Sequence, residues 1–180
     1  ILLYDAAFVP VGDDQLQHLE FTRTLARKFN TKFGKTFVEP KPLLTESSRV
    51  MSLDEPMKKM SKSRPTGCLF LDDSPETIRK KIMSAVTDSG KEIRAEMAGK
   101  EGVGNLILLY SALSGLAVRN IEKKYAGKGY GDFKRDLAEL AVKYLAPFQK
   151  KKKELAKKPA TVRKALADGN KKTNKIAEKK

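Results

Sequence analysis

Phe8-Val9-Pro10-Val11-Gly12-Asp13-Asp14-Gln15 reads as a short apolar strand stopped by a tight turn, and the stretch from Gln15 to about Phe29 reads as a helix. An acidic residue in such a turn can cap the helix by accepting from its unpaired N–H groups. Leu19, Leu25, Ala26 and Phe29 give that helix an apolar face. Working outward, Thr36-Phe37-Val38, Arg49-Val50-Met51-Ser52-Leu53 and Cys68-Leu69-Phe70-Leu71 are further candidate strands, with Pro40 and Pro42 separating the first two. Short strands spaced by a helix and loops predict part of a parallel α/β sheet, with Cys68 as a small buried hydrophobe.

After Asp73 the pattern turns helical. Ser74-Pro75-Glu76 is a helix start, since Ser caps and Pro fits the first helical position. Ile78, Ile82, Ala85 and Val86 then share a face, and Leu106, Leu109, Leu113 and Leu116 recur at helical spacing. Gly127, Gly129 and Gly131 mark a turn, after which Phe133, Leu137, Leu140, Tyr144, Leu145 and Phe148 form another apolar face. Pro147 and Pro159 are expected to break helices, and the chain beyond Lys171 to be loose at its end. The expected division is residues 1–73, a partial Rossmann-like domain, followed by an all-α region, 74–180.

The composition narrows the function. The 180 residues are 40% hydrophobic and 33% charged, which favours a folded chain over wholesale disorder. A lone Cys68 excludes a disulfide scaffold, and no apolar run reaches the roughly 18–20 residues that span a bilayer. The formal charge is +15, and residues 150–180 hold thirteen Lys or Arg against Glu154, Asp168 and Glu178. So lopsided a field suits a polyanion such as nucleic acid, or equally a solvated lysine-rich helix. The chain opens inside the apolar run Ile1-Leu2-Leu3-Tyr4 without an initiator Met, as a piece of a longer protein would.

One segment carries chemistry. Lys58-Lys59-Met60-Ser61-Lys62-Ser63 lies between Pro56 and Arg64-Pro65, and the prolines keep it from being an ordinary helix. Such a loop can lay Lys59 and Lys62 against phosphate oxygens and offer backbone N–H donors. In phosphoryl or nucleotidyl transfer, the barrier falls where positive charge meets charge developing on a departing pyrophosphate. A loop that closes only over bound nucleotide also limits hydrolysis.

Lys59-Met60-Ser61-Lys62-Ser63 is letter for letter the KMSKS signature of class I aminoacyl-tRNA synthetases, a string that chance gives in about one chain of this length in ten thousand. Met51-Ser52-Leu53 and Pro56 precede it as in the bacterial-type tryptophanyl-tRNA synthetases, and Val9 through Gln15 resembles that family's second nucleotide motif, continued by Gln17-His18-Leu19-Glu20. Gly104-Asn105-Leu106 and Gly127 through Phe133 resemble its helical domain, so the similarity runs almost end to end.

The resemblance implies ATP-dependent activation of L-tryptophan and its transfer to tRNA(Trp). Gly12, Asp13 and Asp14 would lie against the ribose and adenine of ATP, where glycine permits close approach and a carboxylate accepts from ribose hydroxyls. Val9, Val11 and Gln15 would line the tryptophan pocket. The backbone of Val50 would contact adenine beside Met60. Lys59 and Lys62 would hold the pyrophosphate as catalytic groups, with Ser61 and Ser63 adding hydrogen bonds. ATP with Mg2+, a homodimer in the full-length enzyme, tRNA recognition by the helices after Ser74, no membrane and a cytoplasmic location complete what the family implies.

The family's early His-x-Gly-His-type motif is absent, since His18 is the only histidine, and its indole-reading aspartate would fall just before Ile1. The chain therefore resembles the C-terminal half of such an enzyme and is expected to be inactive alone. Alternatives are a non-catalytic basic tRNA-binding fragment and the related tyrosyl-tRNA synthetase. His18 is read as structural, Lys35-Thr36 as too faint an echo of a phosphate loop, and Asp72-Asp73 as capping rather than a metal site.

Overall fold

In the computed structural model, residues 1–44, 50–95 and 99–180 are described. Packing divides the chain into two units, Ile1–Ser47 with Leu155–Lys180, and Ser48–Glu154. The change from strand-bearing to helical sequence falls at residue 73, but the boundary of packing falls earlier, because the stretch from Val50 to Leu69 packs on the helices that follow it through Leu53, Met60 and Leu69.

In the first unit, β1 (Phe8–Val11) is followed by α1 (Leu16–Phe33) and β2 (Lys41–Leu44), and the strands pair in parallel with Phe8 opposite Lys41 and Val11 opposite Leu44. Parallel neighbours need a long crossover, which α1 supplies. Pro10 and Pro42 both sit in this ladder and remove donors from it, which suits so short a sheet. The second strand lies later than the Thr36–Val38 segment predicted for it. There the Asn30 carboxamide caps the main chain instead: its oxygen accepts from the N–H groups of Thr36 and Phe37 at 2.9 and 2.8 Å, and its nitrogen donates to the Phe37 carbonyl at 2.8 Å. Leu19 and Ala26 are buried on α1, while Leu25 and Phe29 of the expected face are partly exposed. The acidic cap of α1 is not made: no side chain caps either Gly12 or Gln15.

The same unit contains α6 (Pro159–Ala177), which packs on the turn Leu2–Tyr4. Pro159 begins this helix, and the lysine-rich end expected to be loose continues it to Ala177. Lys180 then ion-pairs with Asp5 at 2.8 Å and lies over the Phe37 ring.

The second unit holds α2 (Pro75–Met83), α3 (Glu101–Ser114), α4 (Val118–Lys124) and α5 (Tyr130–Ala156), of which the last continues into the first unit's span. Ser74 caps α2, accepting from the Thr77 N–H at 3.2 Å, with Pro75 at the first helical position. The core joins Ile78 and Ile82 to Val103, Leu106, Ile107, Ile121, Phe133, Leu137 and Leu145, and the rings of Tyr110, Tyr125 and Phe133 meet at 5.0–5.8 Å. Val86, Leu116, Tyr144 and Phe148, expected on apolar faces, are exposed. Pro147 does not break α5: it lies inside the helix, which runs on to Ala156 past the one bond that proline cannot donate.

The other two predicted strands are not strands among the described residues. Arg49 lies outside them, and Met51 makes only an isolated antiparallel bridge to Lys59. Around Cys68–Leu71 the groups a neighbouring strand would pair go to side chains. The Cys68 carbonyl accepts from Lys81 Nζ at 2.8 Å and the Phe70 N–H donates to Asp73 Oδ2 at 2.9 Å. Cys68 is buried as expected. No single helix among the described residues is long and apolar enough to cross a membrane.

Candidate functional site

The lysine segment is a hairpin followed by a turn. Ser52 N–H donates to the Lys58 carbonyl at 2.8 Å and Met60 N–H to the Val50 carbonyl at 3.1 Å, so Val50 and Met60 are neighbours. Lys58 N–H closes the tip on the Glu55 carbonyl at 2.8 Å. Beyond Met60, Arg64 N–H donates to the Ser61 carbonyl at 3.1 Å and the Ser61 and Ser63 hydroxyls pair at 2.8 Å, which bends residues 61–64 into a turn before the short helical turn Pro65–Gly67.

The base of the hairpin is buried, and this fixes where the loop stands. Leu53 is in the core, its N–H donating to the Gly67 carbonyl at 2.9 Å and its carbonyl accepting from Val86 N–H at 2.8 Å. Ser52, 1% exposed, donates to Asp54 Oδ1 at 2.6 Å, and Thr66 donates to the other carboxylate oxygen at 2.6 Å. These two hydroxyls, Ser52 first, hold the Asp54 carboxyl below its ordinary range. Gly67 is required by space: a Cβ there would stand 1.9 Å from both Ser52 Oγ and Asp54 Oδ1. Asn105 of α3 grips the hairpin from the other side, accepting from Met51 N–H and donating to the Met51 carbonyl, each at 2.9 Å.

The cations sort themselves. Glu55 takes two: Lys58 ion-pairs with it, and Arg64 Nη1 meets it at 2.5 Å. The hydrogen bond from Lys58 is the chief reason that the Glu55 carboxyl is held below its usual range. Lys59 and Lys62 point to solvent, and among the described residues Lys62 makes no ion pair.

The other predicted residues stand in the first unit. Val9 and Val11 share one face of β1, half-buried, while Phe8 and Pro10 face the other way. Gly12, Asp13, Asp14 and Gln15 form the exposed turn into α1, closed by Gln15 N–H on the Gly12 carbonyl at 2.9 Å. Gly12 is extended, and a Cβ on it would lie 2.9 Å from Asp14 Oδ1. His18 is exposed and pairs with Gln15 at 3.1 Å, and Asp72 and Asp73 are met by Lys152 and Lys81. Among the described residues no cluster of His, Cys, Asp or Glu could hold a metal ion.

Sequence reading missed the supports, Asn105, Gly67 and Glu55. The signal for Asn105 was a carboxamide set among Val103, Leu106 and Ile107 on a core helix, where burial demands a partner. It missed a second feature too: a cavity of about 1090 Å3 between residues 91–94, α4 and the Gly127–Gly129 turn, lined by Lys91, Arg94, Arg119, Lys123 and Lys128 against Glu92 and Glu122.

Fold and site thus define a helix-rich piece of an α/β protein that carries a lysine loop anchored on a helical core. The chain belongs to the tRNA synthetases class I (W and Y), the family that residues 1–146 match. Over 99% of its length it is 48% identical to a tryptophan–tRNA ligase of Leifsonia xyli subsp. xyli, covering 54% of that protein. Its structure follows that of a Mycoplasma pneumoniae tryptophanyl-tRNA synthetase with a TM-score of 0.89 at 34% identity, over 99% of this chain and 55% of that one. A Campylobacter jejuni tryptophanyl-tRNA synthetase, solved in complex with ADP and tryptophan, follows at 0.72 and 33%, over 99% and 56%. The chain spans about half the length of the relatives it matches.

Proposed function

We propose that this chain is the C-terminal part of a tryptophan–tRNA ligase, which activates L-tryptophan with ATP and transfers it to tRNA(Trp). The observation that carries the reading is the anchored KMSKS hairpin, which presents Lys59 and Lys62 to solvent while Glu55 occupies Lys58 and Arg64. In adenylate formation the tryptophan carboxylate attacks the α-phosphorus, and the bond to the β-phosphate oxygen breaks as pyrophosphate leaves. Lys59 and Lys62 meet the charge that grows on that departing group, an effect of about 10²–10³ in rate per donor. Ser61, Ser63 and the backbone near Met60 and Val50 offer further contacts to the nucleotide. Gly12, Asp13 and Asp14 take its ribose and adenine, and Val9, Val11 and Gln15 the tryptophan. Mg2+ comes with the ATP phosphates, as it does where the protein supplies few ligands.

Residues 1–73 act in this reading as the catalytic portion and 74–180 as the portion that meets tRNA. The cationic cavity of Lys91, Arg94, Arg119, Lys123 and Lys128 is a fitting seat for RNA phosphates. A reduced, buried Cys68 fits the cytoplasm, and a homodimer is the expected assembly of the complete enzyme.

Changing Lys62→Ala in a polypeptide of full family length tests the reading: tryptophan-dependent exchange of pyrophosphate with ATP should slow by about a hundredfold or more with the fold intact. An unchanged rate removes Lys62 from the mechanism. Binding of tRNA by this chain without any response to an ATP analogue would favour the basic RNA-binding module instead.

A further inference from the structure

We infer that Asn105 is a positioning residue for the lysine loop, its carboxamide clasping the main chain of Met51 and thereby setting the register of the hairpin that bears Lys59 and Lys62. The kinetic consequence rests on the function proposed above, whereas the clasp itself does not.

The argument begins with the pairing pattern. Met51 and Lys59 face each other across the hairpin, but the two bonds that join the arms belong to their neighbours, Ser52 with Lys58 and Met60 with Val50. In an antiparallel pair of that kind the facing residues turn their own N–H and C=O outward, away from the partner arm. For Met51 the outward side is α3, and there Asn105 supplies what a third strand would: an acceptor and a donor at 2.9 Å each. The hairpin therefore stands in a three-part ladder whose last member is one side chain.

That side chain has little freedom. Asn105 is 5% exposed, and Leu106 and Ile107 beside it are in the core at 1% and 0%. A buried carboxamide without partners is costly, so rotating Asn105 away from Met51 would strand its own polar groups as well as those of Met51. Slipping the hairpin by one residue would break the same pair and turn the side chains of residues 58–60 to the other face. The loop beyond Met60 can move, but its root moves only with α3.

Hydrogen exchange in this chain gives the first test. Asn105→Leu, close in size and without polar groups, should speed exchange at Met51, Ser52 and Met60 by about tenfold or more while leaving Leu137 and Ala141 on α5 unchanged, the size being that of a buried group left unpaired. Should that variant fold poorly, the unaltered chain decides: the Asn105 carboxamide protons should exchange slowly and show cross-relaxation with the Met51 N–H, and exchange as fast as an exposed asparagine's overturns the clasp. In a polypeptide of full family length, the Leu variant should lower kcat for pyrophosphate exchange about tenfold or more, with the KM for tryptophan unchanged. A loosened hairpin with unchanged kcat overturns the positioning role. If Lys62→Ala leaves exchange intact while the Asn105 results hold, the ATP reading fails and the clasp stands.

Discussion

Gly67→Ala should destabilise the second unit severely, although its backbone requires no glycine conformation. A methyl group at position 67 would sit 1.9 Å from Ser52 Oγ and Asp54 Oδ1, about half of a normal contact. Ser52 is 1% exposed and has no solvent to rotate into, so the hydroxyl must give up its 2.6 Å bond to Asp54 and its 3.3 Å bond to the Gly67 carbonyl. A buried hydroxyl stripped of partners costs about 1–3 kcal/mol. Forcing a methyl group into a filled site adds about 1–3 kcal/mol. Together they give roughly 2–6 kcal/mol, which for a chain of this length lowers the melting temperature by roughly 4–24 °C. Urea unfolding followed by far-UV circular dichroism, with hydrogen exchange at Leu53 and Val86 to locate the loss, measures it. A variant within about 0.5 kcal/mol of the parent, the range of an ordinary surface change, would refute the close approach of these three residues.

Replacing Arg119 and Lys123 with Ala should weaken tRNA binding at every salt concentration and reduce the slope of log K against log salt by about 1–2, as filter binding would show; an unchanged slope excludes the cavity as a phosphate seat. Lys134, buried with its ammonium on the Ala85 carbonyl at 2.7 Å, has its pKa lowered by burial, so the folded state binds its proton less tightly than the unfolded state does. Stability should therefore rise as pH climbs from that lowered value toward the ordinary 10.5, and urea midpoints of Lys134→Met should lack this rise. Burial alone would raise the Asp88 pKa, but hydrogen bonds from Tyr130, Gly90 and Lys100 outweigh it and leave the carboxyl below 3.8. Its stabilising contribution is thus full above 3.8 and lost as pH falls through the lower folded value. Tyr130→Phe should make that acid loss smaller in urea titrations across this range, and an unaltered profile would show that Tyr130 is not what holds the carboxyl down.

Features written in adjacent residues were legible. The strand and turn at Phe8–Asp14, the Ser74-Pro75 helix start and the buried Ile78 and Ile82 all followed from local chemistry and period. The strands predicted at residues 36–38 and 68–71 failed for one reason. A strand needs a partner, and Asn30, Lys81 and Asp73 took the main-chain groups first. Apolar periodicity alone placed Tyr144 and Phe148 inside, but the buried stripe of α5 runs through Phe133, Leu137, Ala138, Ala141 and Leu145. Which stripe is buried depends on where the neighbouring helices lie.

By itself, the sequence settled that a five-residue lysine loop joins a βαβ segment to a bundle of helices, because the motif, the caps and the apolar spacing are all local. The tertiary structure alone decided which lysines are available and what holds the loop. Glu55 claims Lys58 and Arg64, and Asn105, far away in the chain, clasps Met51. Both outcomes come from the same demand: a buried or charged polar group must find a partner, and only the folded chain brings the partners together.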